Sequence, residues 1–140
     1  MSKIIVKVQD TNKNFQSAHV VILKDGNVLI LKRSSTDKWM PDHYGLPGGK
    51  LEVEEDPLEA ACRECKEEAN LIVSPKDLVF LPKVSKEKHH AFYYTTKFKG
   101  EPKLDFEHSD FKWINPKELS KYKVVPDLPH IIAAALEDLM

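Results

Sequence analysis

Apolar residues along this chain either form short runs or alternate with polar residues, which is the pattern of β-strands. This pattern predicts six strands, at residues 4–8, 18–23, 28–31, 78–82, 91–98 and 111–114. The second and third segments are separated by Asp25, Gly26 and Asn27. Because these residues favour a tight turn, the two strands are expected to form a hairpin.

The segment Pro57–Ala69 is predicted to be the main helix. Asp56 can cap its start, and Asn70 favours the left-handed conformation in which many helices end. With the helical spacing of about 100° per residue, five small or apolar side chains form one stripe that can pack on a sheet. These residues are Leu58, Ala61, Cys62, Cys65 and Ala69.

Two further helical segments follow. A short turn is predicted at residues 116–119, and a final helix begins at residue 128 or 129 and ends at residue 139. Asp127 stands where it can cap that helix. With one helix after several strands and another at the C-terminus, the economical arrangement is an α/β fold with a mixed sheet and helices on both faces.

The main helix also carries an acidic stripe, formed by Glu64, Glu67 and Glu68. Like charges at spacings of three and four residues repel one another by a few tenths of a kcal/mol per pair, and a cation would reverse that effect. A solvated acidic face is the ordinary alternative. The preceding Gly48–Gly49 turn and the nearby Glu55 favour a metal site instead. Ligands that are all oxygen favour Mg²⁺ or Mn²⁺ over Zn²⁺.

Composition narrows the picture further. The 140 residues, 41% of them apolar, suit one domain over residues 1–140. A net charge of -1 provides no global field that would attract nucleic acid or an anionic membrane. Because no apolar run is long enough for a signal peptide or a membrane span, a cytoplasmic protein is expected. Cys62 and Cys65 form a C-x-x-C string, but their place on the apolar stripe indicates buried structural residues.

Residues 49–71 resemble the Nudix box, Gly-x5-Glu-x7-Arg-Glu-U-x-Glu-Glu-x-Gly-U, in which U is a bulky apolar residue. The positions in register are Gly49, Glu55, Arg63, Glu64, Cys65, Glu67, Glu68 and Leu71. Asn70 replaces the second glycine, and Cys65 is smaller than the usual aliphatic residue. The segment Tyr44 to Gly49 is similar to the family's entry into the box, and Glu107 with Trp113 resembles a later family segment. This resemblance implies the Nudix α/β/α sandwich over nearly the whole chain.

The resemblance also implies a reaction, the hydrolysis of a diphosphate linked to another moiety. The implied metal ligands are Glu64, Glu67, Glu68, the Gly48 carbonyl and, from the later loop, Glu107. As the general base the resemblance leaves Glu64 as first choice and Glu107 as second.

Two cationic side chains have implied roles in the same region. Arg63 is expected to orient Glu55 through a charge-assisted fork, with a surface pair to Glu67 or Glu59 as the alternative. Lys50 is expected to meet a substrate phosphate or orient a carboxylate, with a solvated lysine as the alternative.

The leading functional hypothesis is a Mg²⁺-dependent pyrophosphohydrolase that converts a normal or oxidised (d)NTP to a monophosphate and pyrophosphate. The alternatives are a dinucleoside polyphosphate, ADP-ribose or nucleotide-sugar pyrophosphatase, and a nucleotide-binding module without catalysis. Asp127 either reads the base or caps the final helix. Core filling is the simpler role for the aromatic residues at 92–94, and His89 and His90 are expected in an exposed loop. A monomer and a homodimer are both compatible with the sequence.

Overall fold

The computed structural model describes residues 14–140, so the strand predicted at residues 4–8 lies outside the described part. The strands within it are β1 Ser17–Lys24, β2 Asn27–Arg33, β3 Tyr44–Gly45, β4 Gly48–Lys50, β5 Val79–Phe80, β6 His90–Thr95 and β7 His108–Ile114. The helices are α1 Pro57–Ala69, α2 Leu128–Leu139 and two 3-10 helices, Pro75–Asp77 and Pro116–Lys121.

Strand β1 organises the sheet. It pairs in parallel with β6 and antiparallel with both β2 and β4. Strand β2 in turn pairs with β3 and β7, and β5 pairs with β6, all antiparallel. The sheet is therefore mixed, as the sequence predicts, and the parallel β1–β6 pair places residues 17–22 beside residues 90–95.

The two faces of the sheet carry separate apolar cores. Ala18, Val20 and Ile22 of β1 pack with the buried side of α1. Val21 and Leu23, which alternate with them, join the core that contains Leu128 and the rest of the buried side of α2. Because successive side chains of a strand point to opposite faces, one strand supplies both cores. The result is the predicted α/β/α sandwich.

The predicted hairpin joins β1 to β2. Lys24 pairs with Asn27, which leaves Asp25 and Gly26 as the two turn residues. Their φ angles are 51° and 80°, the left-handed values that a type I′ turn requires at both central positions.

Helix α1 has the predicted bounds, and its buried side matches the predicted stripe except at Cys62. Asp56 and Glu59 form a complete capping box, and Asn70 ends the helix with φ 59° and ψ 31°. The prediction was wrong in placing Cys62 on the sheet-facing stripe, because Ala60 is buried there and Cys62 is only partly buried. Glu64 and Glu68 also lie on this side, next to β4, and the missing side chain of Gly49 leaves room for Glu64.

Helix α2 begins where predicted, but the predicted cap is wrong. Asp127 occupies the cap position with φ 69°, and its side chain accepts no hydrogen bond from the first turn. Capping residues normally have extended backbone angles, from which the side chain reaches the free N–H groups. The left-handed backbone of Asp127 prevents that contact and leaves the carboxylate exposed.

The remaining differences from the sequence prediction are in the short strands. The strand predicted at 78–82 is reduced to Val79–Phe80, and the strand predicted at 91–98 ends at Thr95. Strands β3 and β4, of two and three residues, were not predicted. None of the helices among residues 14–140 is long and apolar enough to cross a membrane.

Candidate active site

Two buried carboxylates lie at the junction of β4 and α1. Glu64 and Glu68 are only 9% and 7% exposed, whereas glutamate side chains usually lie at the surface. The backbone N–H of Gly48 donates a hydrogen bond of 2.9 Å to Glu68 Oε1. A Cβ atom at Gly49 would overlap the carboxylate of Glu64, so only glycine leaves the space that this side chain occupies.

Burial disfavours the charged form of both acids. It raises the pKa of Glu64 to about 7, against the lowering effect of the Arg63 charge. It raises the pKa of Glu68 to about 9, even though the hydrogen bond from Gly48 favours the charged form. Two neighbouring acids whose ionisation is opposed by burial are a functional-site signal, because a bound cation would remove the penalty.

Arg63 makes the fork with Glu55 that the sequence led us to expect. Its Nε and one terminal nitrogen donate to the two oxygens of Glu55 at 2.8 and 2.9 Å, and that terminal nitrogen also donates to the Lys50 carbonyl at 2.9 Å. The second terminal nitrogen donates to Glu67 at 3.0 Å and lies 3.6 Å from Glu64 Oε2. The hydrogen bonds from Arg63 hold the pKa of Glu55 below its usual range.

The other expected ligands are more exposed. Glu67 is hydrogen-bonded to Arg63 but exposed to solvent, and Lys50, the expected phosphate contact, is exposed as well. Glu107 is also exposed. Its charge is one of the minor influences that raise the pKa of Glu64.

Two further groups that the sequence analysis missed are Asp105, in the loop before β7, and His108, the first residue of β7. One ligand atom each from Glu68, Asp105 and His108 lie within 4.8 Å of one another. His108 and Asp105 also contact each other, at 2.9 Å between Nδ1 and Oδ1. No periodic pattern marks this loop, so its path towards α1 could not be read from the sequence.

The residues present fit a divalent cation. Carboxylates dominate the group, with one imidazole, and all of these side chains are ligands of divalent metal ions. The buried acids would otherwise remain protonated or ionise at a high energetic cost. Arg63 faces Glu64, but its close hydrogen bonds are made to Glu55 and Glu67.

A cleft of about 1030 Å³ connects the carboxylates with the start of α2. Gly48, Glu64 and Glu68 line it, as do Asp127 and His130. The volume is at the upper end of the range usual for small-molecule sites. The sequence-predicted residues Lys50, Glu107 and Asp127 therefore open onto the same space as the buried acids.

The floor of the cleft contains a polar network that the sequence reading did not identify. Ser17 Oγ lies 3.0 Å from His19 Nε2 and 2.5 Å from His90 Nδ1. The His19 ring stacks on Phe92 with centroids 5.3 Å apart. Burial lowers the pKa of His19 to about 4, so this imidazole is neutral at pH 7. Only the parallel pairing of β1 with β6 brings these residues together.

The aromatic residues at 92–94 of β6 lie on alternating faces of the sheet, as successive side chains of a strand do. Tyr93 is buried in the core beside α1, and Tyr94 is buried beside α2 and donates a 2.7 Å hydrogen bond to Asp138. Phe92, by contrast, lines the cleft. The prediction of an exposed loop holds for the exposure of His89 and His90, but His90 is the first residue of β6.

Comparison with known proteins agrees with this geometry. The sequence matches the NUDIX domain over residues 13–135. It is 30% identical over 95 residues to the 8-oxo-dGTP diphosphatase of Escherichia coli strain K12, which covers 64% of this chain and 72% of that protein. It is 36% identical over 84 residues to the ADP-ribose pyrophosphatase of Methanocaldococcus jannaschii, which covers 56% of this chain and 48% of that protein.

A solved structure gives the same result for the fold. The MutT NUDIX hydrolase from Burkholderia pseudomallei superimposes with a TM-score of 0.70 at 24% identity, covering 86% of this chain and 97% of that one. The match of the NUDIX domain extends over most of the chain and includes both α1 and the cleft. The chain therefore belongs to the Nudix family and is a Nudix hydrolase, a pyrophosphohydrolase that depends on a divalent metal.

Proposed function

We propose that this hydrolase acts on a normal or oxidised (d)NTP, using Mg²⁺ or, as a substitute, Mn²⁺. Water would add across the anhydride between the α- and β-phosphates, and the products would be a nucleoside monophosphate and pyrophosphate. The observation that carries the proposal is the buried pair Glu64 and Glu68, which opens onto a cleft large enough for a nucleotide.

The metal would be held by Glu64, Glu67, Glu68 and the Gly48 carbonyl, with Asp105 and Glu107 available from the loop before β7 and His108 from the start of that strand. When bound, a divalent cation neutralises phosphate oxygens and lowers the pKa of a bound water. Glu64 is our first candidate to accept a proton from the attacking water, and Glu107 is the second.

Arg63 and Lys50 would serve the same site in different ways. Arg63 fixes Glu55 and Glu67 in place through its hydrogen bonds, so its role would be positioning. Lys50 is an exposed cationic residue that lines the cleft, and it would attract a substrate phosphate.

The position of Asp127 supports the hypothesis that the far end of the substrate is a nucleobase. Its carboxylate lines the cleft and makes no capping hydrogen bond. An ionised carboxylate only accepts hydrogen bonds, and the Watson–Crick edge of guanine offers two adjacent N–H donors. The corresponding edge of adenine presents one donor beside an acceptor, so Asp127 would favour a guanine-type base.

The relatives leave other substrates open. One is named for 8-oxo-dGTP and another for ADP-ribose. A dinucleoside polyphosphate or a nucleotide sugar would also present a diphosphate to the carboxylates. A module that only binds nucleotides is disfavoured, because binding alone does not require the buried acids.

The proposal is tested with purified protein and Mg²⁺ against nucleoside triphosphates, 8-oxo-dGTP, dinucleoside polyphosphates, ADP-ribose and nucleotide sugars. We expect the highest kcat/KM for a triphosphate, with monophosphate and pyrophosphate as products and no turnover in EDTA. A clear preference for ADP-ribose or a nucleotide sugar would overturn the proposed substrate while leaving the family assignment intact.

Base reading by Asp127 is tested with Asp127→Asn and Asp127→Gly. If Asp127 reads guanine, both changes should reduce the preference for dGTP over dATP by about tenfold or more, on the scale of one lost discriminating contact. Asp127→Gly should also retain or raise the melting temperature, because glycine adopts the left-handed backbone without strain. An unchanged dGTP to dATP ratio in both variants would remove Asp127 from base recognition.

A further inference from the structure

Trp39 is an exposed aromatic residue inside the cleft. Its exposed fraction is 54%, although tryptophan is usually well buried. It lies in the segment between β2 and β3 and lines the same cleft as Glu64 and Asp127. The proposed catalysis gives Trp39 no role, and Trp39 belongs to neither of the two apolar cores.

The position of Trp39 is fixed by its neighbours. Its backbone N–H donates a 3.1 Å hydrogen bond to Asp37 Oδ1, and its carbonyl accepts one of 2.9 Å from Arg33 Nε. Arg33 and Asp37 are themselves joined by a 2.8 Å ion pair. Trp39 is thus tied at both of its backbone polar groups to one charged pair.

The same arginine also covers one face of the indole. The Arg33 guanidinium carbon lies 4.8 Å from the centre of the ring, within the range of a cation–π contact. The contact restrains the ring from one face, and the exposed fraction of the residue shows that much of its surface is open to a ligand. A fixed aromatic ring binds planar groups at a low entropic cost, since little side-chain freedom remains to be lost.

We infer that Trp39, held by Arg33 and Asp37, is the stacking platform for the planar base of the substrate. The inference rests on the proposed function, because only a substrate with a heteroaromatic ring would use it. Stacking on an indole is nearly independent of the identity of the base. In this scheme, Trp39 supplies affinity for any nucleobase, while Asp127 supplies the choice among bases.

The two tryptophans of the chain allow a direct optical test. Trp113 lies in β7 and stacks on Phe98 with centroids 5.8 Å apart, outside the residues that line the cleft. In a Trp113→Phe variant, dGMP with Mg²⁺ should quench the remaining Trp39 fluorescence, and deoxyribose 5-phosphate should not. In a Trp39→Phe variant, the same dGMP titration should leave the Trp113 fluorescence unchanged.

Kinetics supply the second readout. Trp39→Leu should raise the KM for dGTP and for dATP alike by about tenfold or more, the scale of one lost base–aromatic stack, with kcat nearly unchanged. Trp39→Phe should recover most of that loss, because a smaller aromatic ring still stacks. A purely structural role would instead lower the melting temperature and would not distinguish leucine from phenylalanine by KM.

The outcomes separate this inference from the proposed function. If the wild-type protein hydrolyses nucleoside triphosphates but Trp39→Leu keeps the wild-type KM and dGMP does not quench Trp39, the stacking role is wrong and the proposed function stands. If wild-type protein neither binds dGMP nor hydrolyses any nucleotide, both are wrong.

Discussion

At the scale of single residues, the site depends on acids that are placed where acids are rarely found. Glu64 and Glu68 lie on the sheet-facing side of α1, among alanines and Cys65. The hydrogen bond from Gly48 N–H satisfies one oxygen of Glu68, but burial still raises the pKa of that carboxyl to about 9. The fold therefore holds a site that is unfavourable for charged carboxylates unless a cation binds.

Replacing Glu68 separates the role of this acid in catalysis from its role in folding. Glu68→Gln keeps an oxygen that can accept the hydrogen bond from Gly48 N–H, but it removes the negative charge. Turnover at saturating Mg²⁺ should fall by about a hundredfold or more, the scale for losing a group that stabilises charge in the transition state. The melting temperature in EDTA should be unchanged or higher. Glu87→Gln, at an exposed acid outside the cleft, is the matched control and should change neither quantity.

The raised pKa values also predict how stability depends on pH in the absence of metal. A carboxyl whose pKa is raised from 4.5 to about 9 on folding binds more protons in the folded state, so the free energy of unfolding falls as pH rises between these values. His19, whose pKa is lowered from 6.5 to about 4, gives the opposite slope, but only at more acidic pH.

Between pH 7 and 9 the fall is due mainly to Glu68, because Glu64, whose pKa is raised to about 7, completes its ionisation near the lower end of this window. In EDTA, urea midpoints of the wild-type protein should fall across this window, while those of Glu68→Gln should fall much less. Equal slopes in the two proteins would show that Glu68 is already ionised at pH 7 in the metal-free state.

At the scale of elements, the site is a product of the β4–α1 unit. Strand β4 brings two glycines against β1, and α1 then passes beneath them with its buried acids. The missing side chain of Gly49 is what gives Glu64 its position. A change at this glycine should therefore affect the site more than the fold.

Gly49→Ala tests this packing. The added methyl group would overlap the Glu64 carboxylate, which is the movable end of a side chain, so stability should change little. Turnover should fall by about tenfold to a hundredfold, because small displacements of a reacting group are costly. Gly26→Ala is the contrasting control. The φ of 80° at this position would strain alanine, while no other atom lies within 4 Å of the place that the added methyl group would occupy. That variant should lose stability but keep its turnover.

Much of this unit can be predicted from the sequence, and the reason is that its signals are local. Asp56, Pro57 and Asn70 mark both ends of α1 correctly, since capping depends on neighbouring residues. The buried position of Glu64 could not be predicted, because the space for its carboxylate depends on the missing side chain of Gly49 in the preceding strand β4. Asp127 was misassigned as a cap because its left-handed backbone is set by the tertiary path of the preceding loop.

At the scale of the whole molecule, the sandwich places the buried acids and the residues proposed to recognise the base on one cleft. Strand β1 is central to both, since it carries Ser17 and His19 on the cleft face and pairs with Gly48 at its start. The order of the strands brings residues from β2, β6 and the start of α2 to the same cavity. The sequence predicts the layers of this fold, whereas the cleft depends on long-range pairings that carry no local signal.

The proposed chemistry depends on the binding of a divalent cation by the buried carboxylates. Its most direct test is calorimetric titration of metal-free protein with MnCl₂ at pH 7.5 in two buffers of different ionisation enthalpy. We predict saturable binding by the wild-type protein with release of protons, because ligands with raised pKa values must lose their protons on binding. A double variant that carries both Glu64→Gln and Glu68→Gln should lose the metal binding and the proton release. Wild-type protein that binds no metal, or a double variant that binds with the same affinity and proton release, would contradict the account.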